Sequence, residues 1–599
     1  MKKWIALALA LMLALSLFAG CGNTPAEPAK SAEPAKSADP AATTKPAPGG
    51  SSQTTAPAED PDSPYCFAAG KYEKTADGFP ATKYVYDQPL CTNDSVLTKW
   101  CSCYTPQYIP EGGYGTIPTW IELRELTGVQ IEYDVVASAN RSENFSVLLA
   151  SDALDDLLDG APSYYKAGTL KSAVEDGYFA NFADYTDYLP NYLWEICDRA
   201  QYQTDMLYKL YYDDETIPTL YGLVCDPCPA MGIFLRQDWL DEMNMGKSTD
   251  VKTYDQFHNV LKAMKVNYSK TEEIFPLYVT ASIDKYQGLY FSGYDTTIYT
   301  TNLNTYPRIK DGKVELCGTT DDDFEAMTVL TGWYSEGLIS PNFQSFETGN
   351  SDTADTGIYS DGLGCYPMSP SLWEGVEENS DNPNADWEPA PRLKKTEDQV
   401  LKYGFAKARD NYSYSSICVA GRCENIPLAV SWIDWAFSDF GSDFWSFGSE
   451  GYLWEYNDKG ERRLTDFCMN HEAGTTWIMC LYAANSLGET CLFQNLRNNY
   501  YDGGERLMEA YDVWAIPGYK GEYDWPSAIT FTDEERDENA SIFADLNTYY
   551  QENAVAFVNC SKPMSEWDSF IEGLNSFGYS RVQEIYQAAY DRYLARVNA

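Results

Sequence analysis

Apolar and polar positions change period repeatedly along this chain, and the changes mark helices followed by strands. In TIPTWIELRELTGVQIEYDVV, apolar residues recur at helical spacing until Gly128. Thr119, with Glu122 three residues on, is a capping-box pattern that predicts the helix start. Past the glycine, Val129, Ile131, Tyr133 and Val135 alternate with polar neighbours, the two-residue period of a strand. SENFSVLLASDALDDLLDG repeats the order, with a helix carrying Phe145, Leu148 and Leu149 and then a short strand near Leu157. In GIFLRQDWLDEMNM an apolar run, Ile233 to Leu235, stops at Arg236, Asp238 and Trp239. A short helix from Trp239 to Met245 is predicted to close at Gly246. Thr253 and Gln256 cap another, with Phe257, Val260, Leu261 and Met264 on one face. Near the C-terminus Trp567, Phe570, Ile571 and Leu574 form one stripe, and Val582, Ile585, Tyr586, Ala589 and Tyr593 another. Such stripes face cores. Strands alternating with these helices predict α/β layers rather than a sandwich or a bundle.

The N-terminus follows another rule. Lys2 and Lys3 precede an apolar run from Trp4 to Phe18, then Ala19, Gly20 and Cys21. The run is shorter than the ~20 residues of a spanning helix, so residues 1–20 read as a signal peptide. LFAGC resembles a bacterial lipobox, with Phe18 where that motif usually has Leu. The resemblance implies cleavage before Cys21 and a lipid on its thiol; the alternative is plain secretion with cleavage near Ala19. AEPAKSAEPAKSADP is a near-repeat that cannot bury enough surface to fold. Residues 21–92 are therefore expected to be a disordered, lipid-anchored linker, with order beginning near Asp94.

Composition narrows the function. The 599 residues hold 43 basic and 89 acidic side chains, a net charge of -46. That excludes nucleic acid as a partner, because its binding needs cations to neutralise phosphates. It also argues against docking on an anionic lipid surface by charge, and reads as a soluble, self-repelling exterior. The 47 Tyr and 16 Trp offer flat apolar faces with polar edges, suited to interfaces and to sugar rings.

Chemistry for catalysis or metal is sparse. Of sixteen cysteines, fifteen remain without Cys21, an odd number. Cys101 with Cys103 and Cys225 with Cys228 have no spacing that supports zinc; small buried residues or a structural disulfide are expected. Asp321, Asp322 and Asp323 read as helix N-terminal charges. DNPNADWE lacks the spacing and glycine of a calcium loop. His258 and His471 stand in unrelated contexts, which speaks against a Ser-His-Asp triad or a His-rich metal site. No cofactor is expected. Paired carboxylates for glycoside hydrolysis stay open as an alternative, as does a peptide-binding or adhesion role.

Several segments, in order, resemble the extracellular solute-binding lipoproteins of ABC sugar importers (family 1 type). They are WIELRELTGVQIEY, LLASDALDDLL, EDGYFANFADYTDYLPNY, FLRQDWLDEMNM, LTGWYSEGLISPNF, AVSWIDWAFSDFG, GSEGYLWEYNDKG and EIYQAAYDRY. In the second, Ala153 and Asp155 replace the usual Gly and Pro. Residues 280–311 have no counterpart in the pattern. The resemblance implies a periplasmic-binding-protein-like α/β fold of two lobes joined by hinge crossings around a ligand cleft. The lobes are expected at roughly 93–235 with 410–450, and at 236–409, with C-terminal helices 451–599 packing on both. It further implies a carbohydrate ligand, ABC permease and ATPase partners, and a monomer held on the outer face of a Gram-positive cell membrane by lipid alone.

Ligand contacts in such a cleft need stacking rings and planar hydrogen-bonding groups at strand-to-helix junctions. Arg236 and Asp238 fit by position, against the alternative of a mutual ion pair. Tyr104, Tyr164 and its neighbour Tyr165 are loop aromatics of lobe one, and Tyr221 precedes a crossing. Trp373, in the loop MSPSLWE, is where the resemblance implies a cleft residue of lobe two. Glu450 and Trp454 flank the GSEGYLWEY turn.

Overall fold

The computed structural model describes residues 62–200, 205–224, 231–270, 273–283, 289–301, 303, 307–346, 357–404, 412–483, 490–493, 505–516 and 519–598. The chain builds β1 (Val96–Cys103), α1 (Pro118–Thr127), β2 (Gln130–Ala137), α2 (Arg141–Ala150), β3 (Leu157–Asp159), α3 (Ala161–Tyr164), α4 (Leu170–Glu175), α5 (Pro190–Ala200), α6 (Asp205–Leu210) and β4 (Leu220–Val224). It continues through β5 (Gly232–Arg236), α7 (Gln237–Glu242), α8 (Tyr254–Tyr268), β6 (Pro307–Lys310), β7 (Lys313–Leu316), α9 (Asp321–Ser335), β8 (Cys365–Met368), α10 (Trp373–Glu378) and β9 (Trp387–Ala390). Then come β10 (Tyr412–Val419), α11 (Ile426–Trp435), α12 (Asp439–Phe447), β11 (Trp454–Tyr456), β12 (Arg462–Leu464), α13 (Asp466–Met469), α14 (Thr475–Tyr482), β13 (Leu492–Phe493), α15 (Glu505–Trp514), α16 (Asp533–Val558), α17 (Trp567–Ser576) and α18 (Tyr579–Val597).

Lobe one is a six-stranded sheet in the order β13-β4-β10-β3-β1-β2. β1 runs parallel to β2 and β3, and β10 runs antiparallel to both β3 and β4. Neighbouring residues feed opposite cores: Leu157, Ile417 and Val419 enter one, while Leu158, Cys418 and Ala420 enter the other. The sheet is thus buried on both faces, as expected where helices cover each side. Lobe two centres on β8-β5-β9, all antiparallel, with Gly232 opposite Met368 and Arg236 opposite Trp387. A β6-β7 hairpin flanks it, and Asp311 and Gly312 take the paired positive φ of 53° and 76° that a two-residue turn requires. The mixed α/β architecture is the one read from the sequence.

Four local expectations change. The segment expected to be linker up to residue 92 straps onto lobe one over residues 62–92. Leu90 and Cys91 are buried, Tyr84 N–H donates to Asn191 (2.9 Å), and Lys83 pairs with Glu195 and Asp439. The reason lies in composition: tyrosine and phenylalanine replace proline and alanine after Asp62 and supply apolar surface to bury. Second, Gly232–Arg236 is not the end of lobe one but the central strand of lobe two. Third, residues 453–492 contribute Leu453, Ile478 and Leu492 to the lobe-one core, so the helices resting mainly on lobe two begin later. α16, α17 and α18 pack there beside Leu330 and Trp333, while the start of α16 and the end of α18 reach lobe one, where Asp533 accepts from the Thr169 N–H (3.0 Å) and Arg596 donates to the Tyr211 carbonyl (2.9 Å). Fourth, α1 starts with Pro118 at its first position, where a missing N–H costs nothing, and Thr119 bonds the Tyr482 carbonyl rather than capping. The other expected box holds, Thr253 with Gln256, and the acidic triplet opens its helix as expected, with Thr320 and Asp323 forming a further box.

Gly128 illustrates how tightly the strap sits. Its φ is 73°, and a Cβ there would lie 2.0 Å from the Cys91 carbonyl oxygen. Only glycine both closes α1 and lets the strap pass.

Candidate functional site

Because β1 and β3 are parallel and β10 opposes β3 and β4, one edge of the lobe-one sheet gathers several termini. These are the ends of β1, β3 and β4 and the start of β10. The chain leaves for lobe two after Val224 and returns at Tyr412 on that same edge. Open α/β sheets bind ligands outside such strand ends.

The edge carries rings. Tyr104, directly after β1, is 50% exposed, and its ring lies 5.5 Å from Trp477 of α14 at a 38° tilt. Beside them Tyr108 meets His471 edge-on at 5.2 Å, His471 meets Phe467 at 5.1 Å, and Phe467 meets Tyr482 at 5.5 Å. Ser449 N–H donates to the Thr119 hydroxyl (3.3 Å) in the first turn of α1, which delivers the exposed Glu450 to the same edge.

Arg141 organises the other half of the edge. It follows β2 and opens α2, and its guanidinium lies 4.3 Å from the Trp100 ring and 5.0 Å from Tyr164. It donates to Ser102 Oγ (3.1 Å) at the end of β1 and to the Asp159 backbone carbonyl at the end of β3. The Asp159 carboxylate faces Lys99 at 3.0 Å in the interior. Burial pushes that carboxyl up, and the nearby Lys99 and Arg141 charges oppose the shift. Tyr164 is half-buried against Trp100, and Tyr165 is buried against Phe179. Tyr221 sits inside β4, half-buried, with the Lys209 ammonium 4.9 Å from its ring.

Four other expected contacts serve the interior of lobes instead. β5 begins at Gly232, so Arg236, four residues on, lies ~13 Å farther along the strand. Arg236 is fully buried, with Nε and Nη2 on Asp238 (2.8 and 2.6 Å) and Nη1 on Asp361 (2.6 Å). Its guanidinium also stacks at 4.6 Å from Trp239, so Arg236 and Asp238 form the mutual ion pair and serve as scaffold. Trp373 is 1% exposed, its indole covered by Arg506 at 4.1 Å and Phe234 at 5.0 Å, and its N–H donates to Glu377 (3.0 Å). Trp454 is also buried, donating to the Gly448 carbonyl beneath Arg462. Apolar packing claimed these large indoles, as it does most buried tryptophans.

Arg506 gathers carboxylates from lobe two: Glu377 bidentately, with Asp386 at 4.0 Å and Glu388 at 3.9 Å. Burial first, then Asp386 and Glu509, pushes the Glu388 carboxyl up to about 7 despite Arg506. Among the described residues no group of three or more His, Cys, Asp or Glu assembles for a metal, and no disulfide joins the thirteen described cysteines. Cys21, Cys225 and Cys228 lie outside the described residues. Trp477, Arg141 and the Tyr108–His471 pair were not singled out by sequence. Their signal was position alone, a ring or a cation immediately beyond a strand or at a helix start.

No family model matches the chain. The fructooligosaccharide ABC transporter substrate-binding protein FusA of Streptococcus pneumoniae is 22% identical over 497 residues, 80% of this chain and 87% of that protein. The polygalacturonan/rhamnogalacturonan-binding protein YtcQ of Bacillus subtilis is 26% identical over 144 residues, 24% of this chain and 26% of that protein. Among solved structures, an extracellular solute-binding protein of Bifidobacterium longum subsp. infantis superposes with TM-score 0.64 at 16% identity, covering 87% of this chain and all of that one. The two-lobed α/β fold is what this chain shares with that structure.

Proposed function

We propose that this chain, whose two-lobed fold is that of extracellular ABC-importer solute-binding proteins, captures an oligosaccharide and breaks no bond in it. The observation that carries the reading is the aromatic edge. Tyr104 and Trp477 present rings beside Arg141, Ser102 and Glu450 where the chain crosses between lobes. Apolar sugar faces stack on such rings, and hydroxyls bond to the planar polar groups between them. The ligands for which the relatives are named, a fructooligosaccharide and polygalacturonan or rhamnogalacturonan, support carbohydrate as the class. Ligand binding draws the lobes together, and the closed form docks on a permease whose ATPase drives import. No helix among the described residues is long and apolar enough to cross a membrane. A lipid on Cys21 then holds a monomer at the outer surface, with no part for nucleic acid or a cofactor.

The test is a library of oligosaccharides added to the protein while Trp fluorescence and product formation are followed together. Saturable quenching without product is the expected result. Release of reducing ends identifies a glycoside hydrolase instead, and binding of peptides but not glycans identifies a peptide-binding lipoprotein.

A further inference from the structure

Arg141 is the arginine of the aromatic edge, and it lacks the carboxylate partner that several other arginines of this chain have. Arg236, Arg308, Arg506 and Arg592 each touch a carboxylate within 4 Å. Arg141 has none within 4 Å among the described residues, and the nearby Asp159 carboxylate is paired with Lys99 at 3.0 Å instead, although the sequence holds 89 acidic side chains against 43 basic ones. Its two hydrogen bonds go to neutral oxygens, the Ser102 hydroxyl (3.1 Å) and the Asp159 carbonyl. Its Nε is buried and without an acceptor. A guanidinium has five N–H donors, so about three are left over here. Trp100 and Tyr164 hold the cation by ring contacts that do not neutralise it.

We infer that the captured glycan bears a carboxylate, as a uronic or sialic acid does, and that Arg141 is the group that meets it. This rests on the carbohydrate-capture reading above. A half-buried guanidinium is worth more to an anion than an exposed one, because the surrounding protein screens less than water. Its fork matches a carboxylate in plane, leaving the stacked rings in place. The net charge of -46 does not cancel this attraction. Carboxylates farther than a Debye length of ~8 Å are largely screened at physiological salt, whereas a contact partner is not. The rings beside it suit the apolar faces of neighbouring sugar units, so acid recognition and stacking act on one ligand.

Titration calorimetry on the full-length protein tests this with short oligogalacturonates, oligoalginates and sialyllactose. Each is paired with its carboxyl-reduced neutral counterpart, and neutral fructo- and manno-oligosaccharides run alongside. At least one acidic glycan should bind about tenfold or more tightly than its neutral counterpart, a charge-assisted contact's worth of affinity. Arg141→Gln should abolish that preference, and Arg141→Lys should keep part of it. The wild-type comparison needs no variant, so it stands even if Arg141→Gln fails to fold. Neutral glycans binding as tightly as their acidic counterparts, or Arg141→Gln losing both equally, overturns the inference while leaving capture intact. If no glycan binds, acidic or neutral, the capture reading itself falls.

Discussion

Burial decides what a candidate contact residue does, and it separates residues that look alike in sequence. Arg236 is fully buried and spends its N–H groups on Asp238 and Asp361, so its role is to hold β5 to α7. Arg236→Ala strands these carboxylates and should cost about 3 kcal/mol, the low end for a broken buried pair because Asp361 is partly solvated. Denaturant unfolding should register that loss while the affinity for glycan stays unchanged. Tyr104 and Trp477 present the opposite case. Replacing either by Ala should weaken binding by about 1 kcal/mol, roughly fivefold in Kd, with little change in melting temperature. Glu388 gives a pH handle. Its carboxyl is raised from 4.5 to about 7, so the fold holds that proton more tightly than the unfolded chain does. The stabilisation is full below the ordinary value and disappears as pH rises through about 7. Glu388→Gln should flatten the fall in melting temperature between roughly pH 5 and 8, measured against wild type.

Elements were more legible than sites. The 3.6-residue stripes on α8, α17 and α18 and the alternation in β2 came directly from the sequence, because one buried face imposes a period. The strap from residue 62 did not, since it has little regular structure and its burial depends on surfaces far along the chain. Nor did the direction of β5, which is fixed by pairing with β8 and β9 and not by its own residues. That direction is why Arg236 reads as a site and acts as scaffold. The strap's main anchor is Asp434 on α11, which accepts from Tyr86 OH (2.8 Å), Tyr192 N–H (2.8 Å) and Asn191 (3.0 Å). Burial pushes its carboxyl up to about 7 while these donors hold it down. Tyr86→Phe removes one donor from a buried acid and should cost about 1–2 kcal/mol, visible as earlier thermal unfolding with ligand affinity intact.

At the scale of the molecule, two lobes and four sequence stretches divide the labour. Lobe one takes its sheet from both halves of the chain, and the sheet of lobe two lies between while its last helices follow, so a ligand bridging the lobes couples stretches hundreds of residues apart. Small-angle scattering should show the radius of gyration falling when a bound glycan is added, and no change with a sugar that does not bind. Glu388→Gln and Tyr86→Phe should leave that compaction in place, since neither residue lies on the aromatic edge.

The strap has a mechanical consequence. Every fastening described for it, to Asn191, Glu195, Asp434, Asp439 and the Thr127 carbonyl, is on lobe one. A pull arriving at Asp62 is therefore taken up by lobe one before it reaches the crossings. Lobe one is the stator and lobe two the rotor. Drag or tension on the N-terminal end leaves the torque on the hinge, and with it the grip on cargo, unaltered.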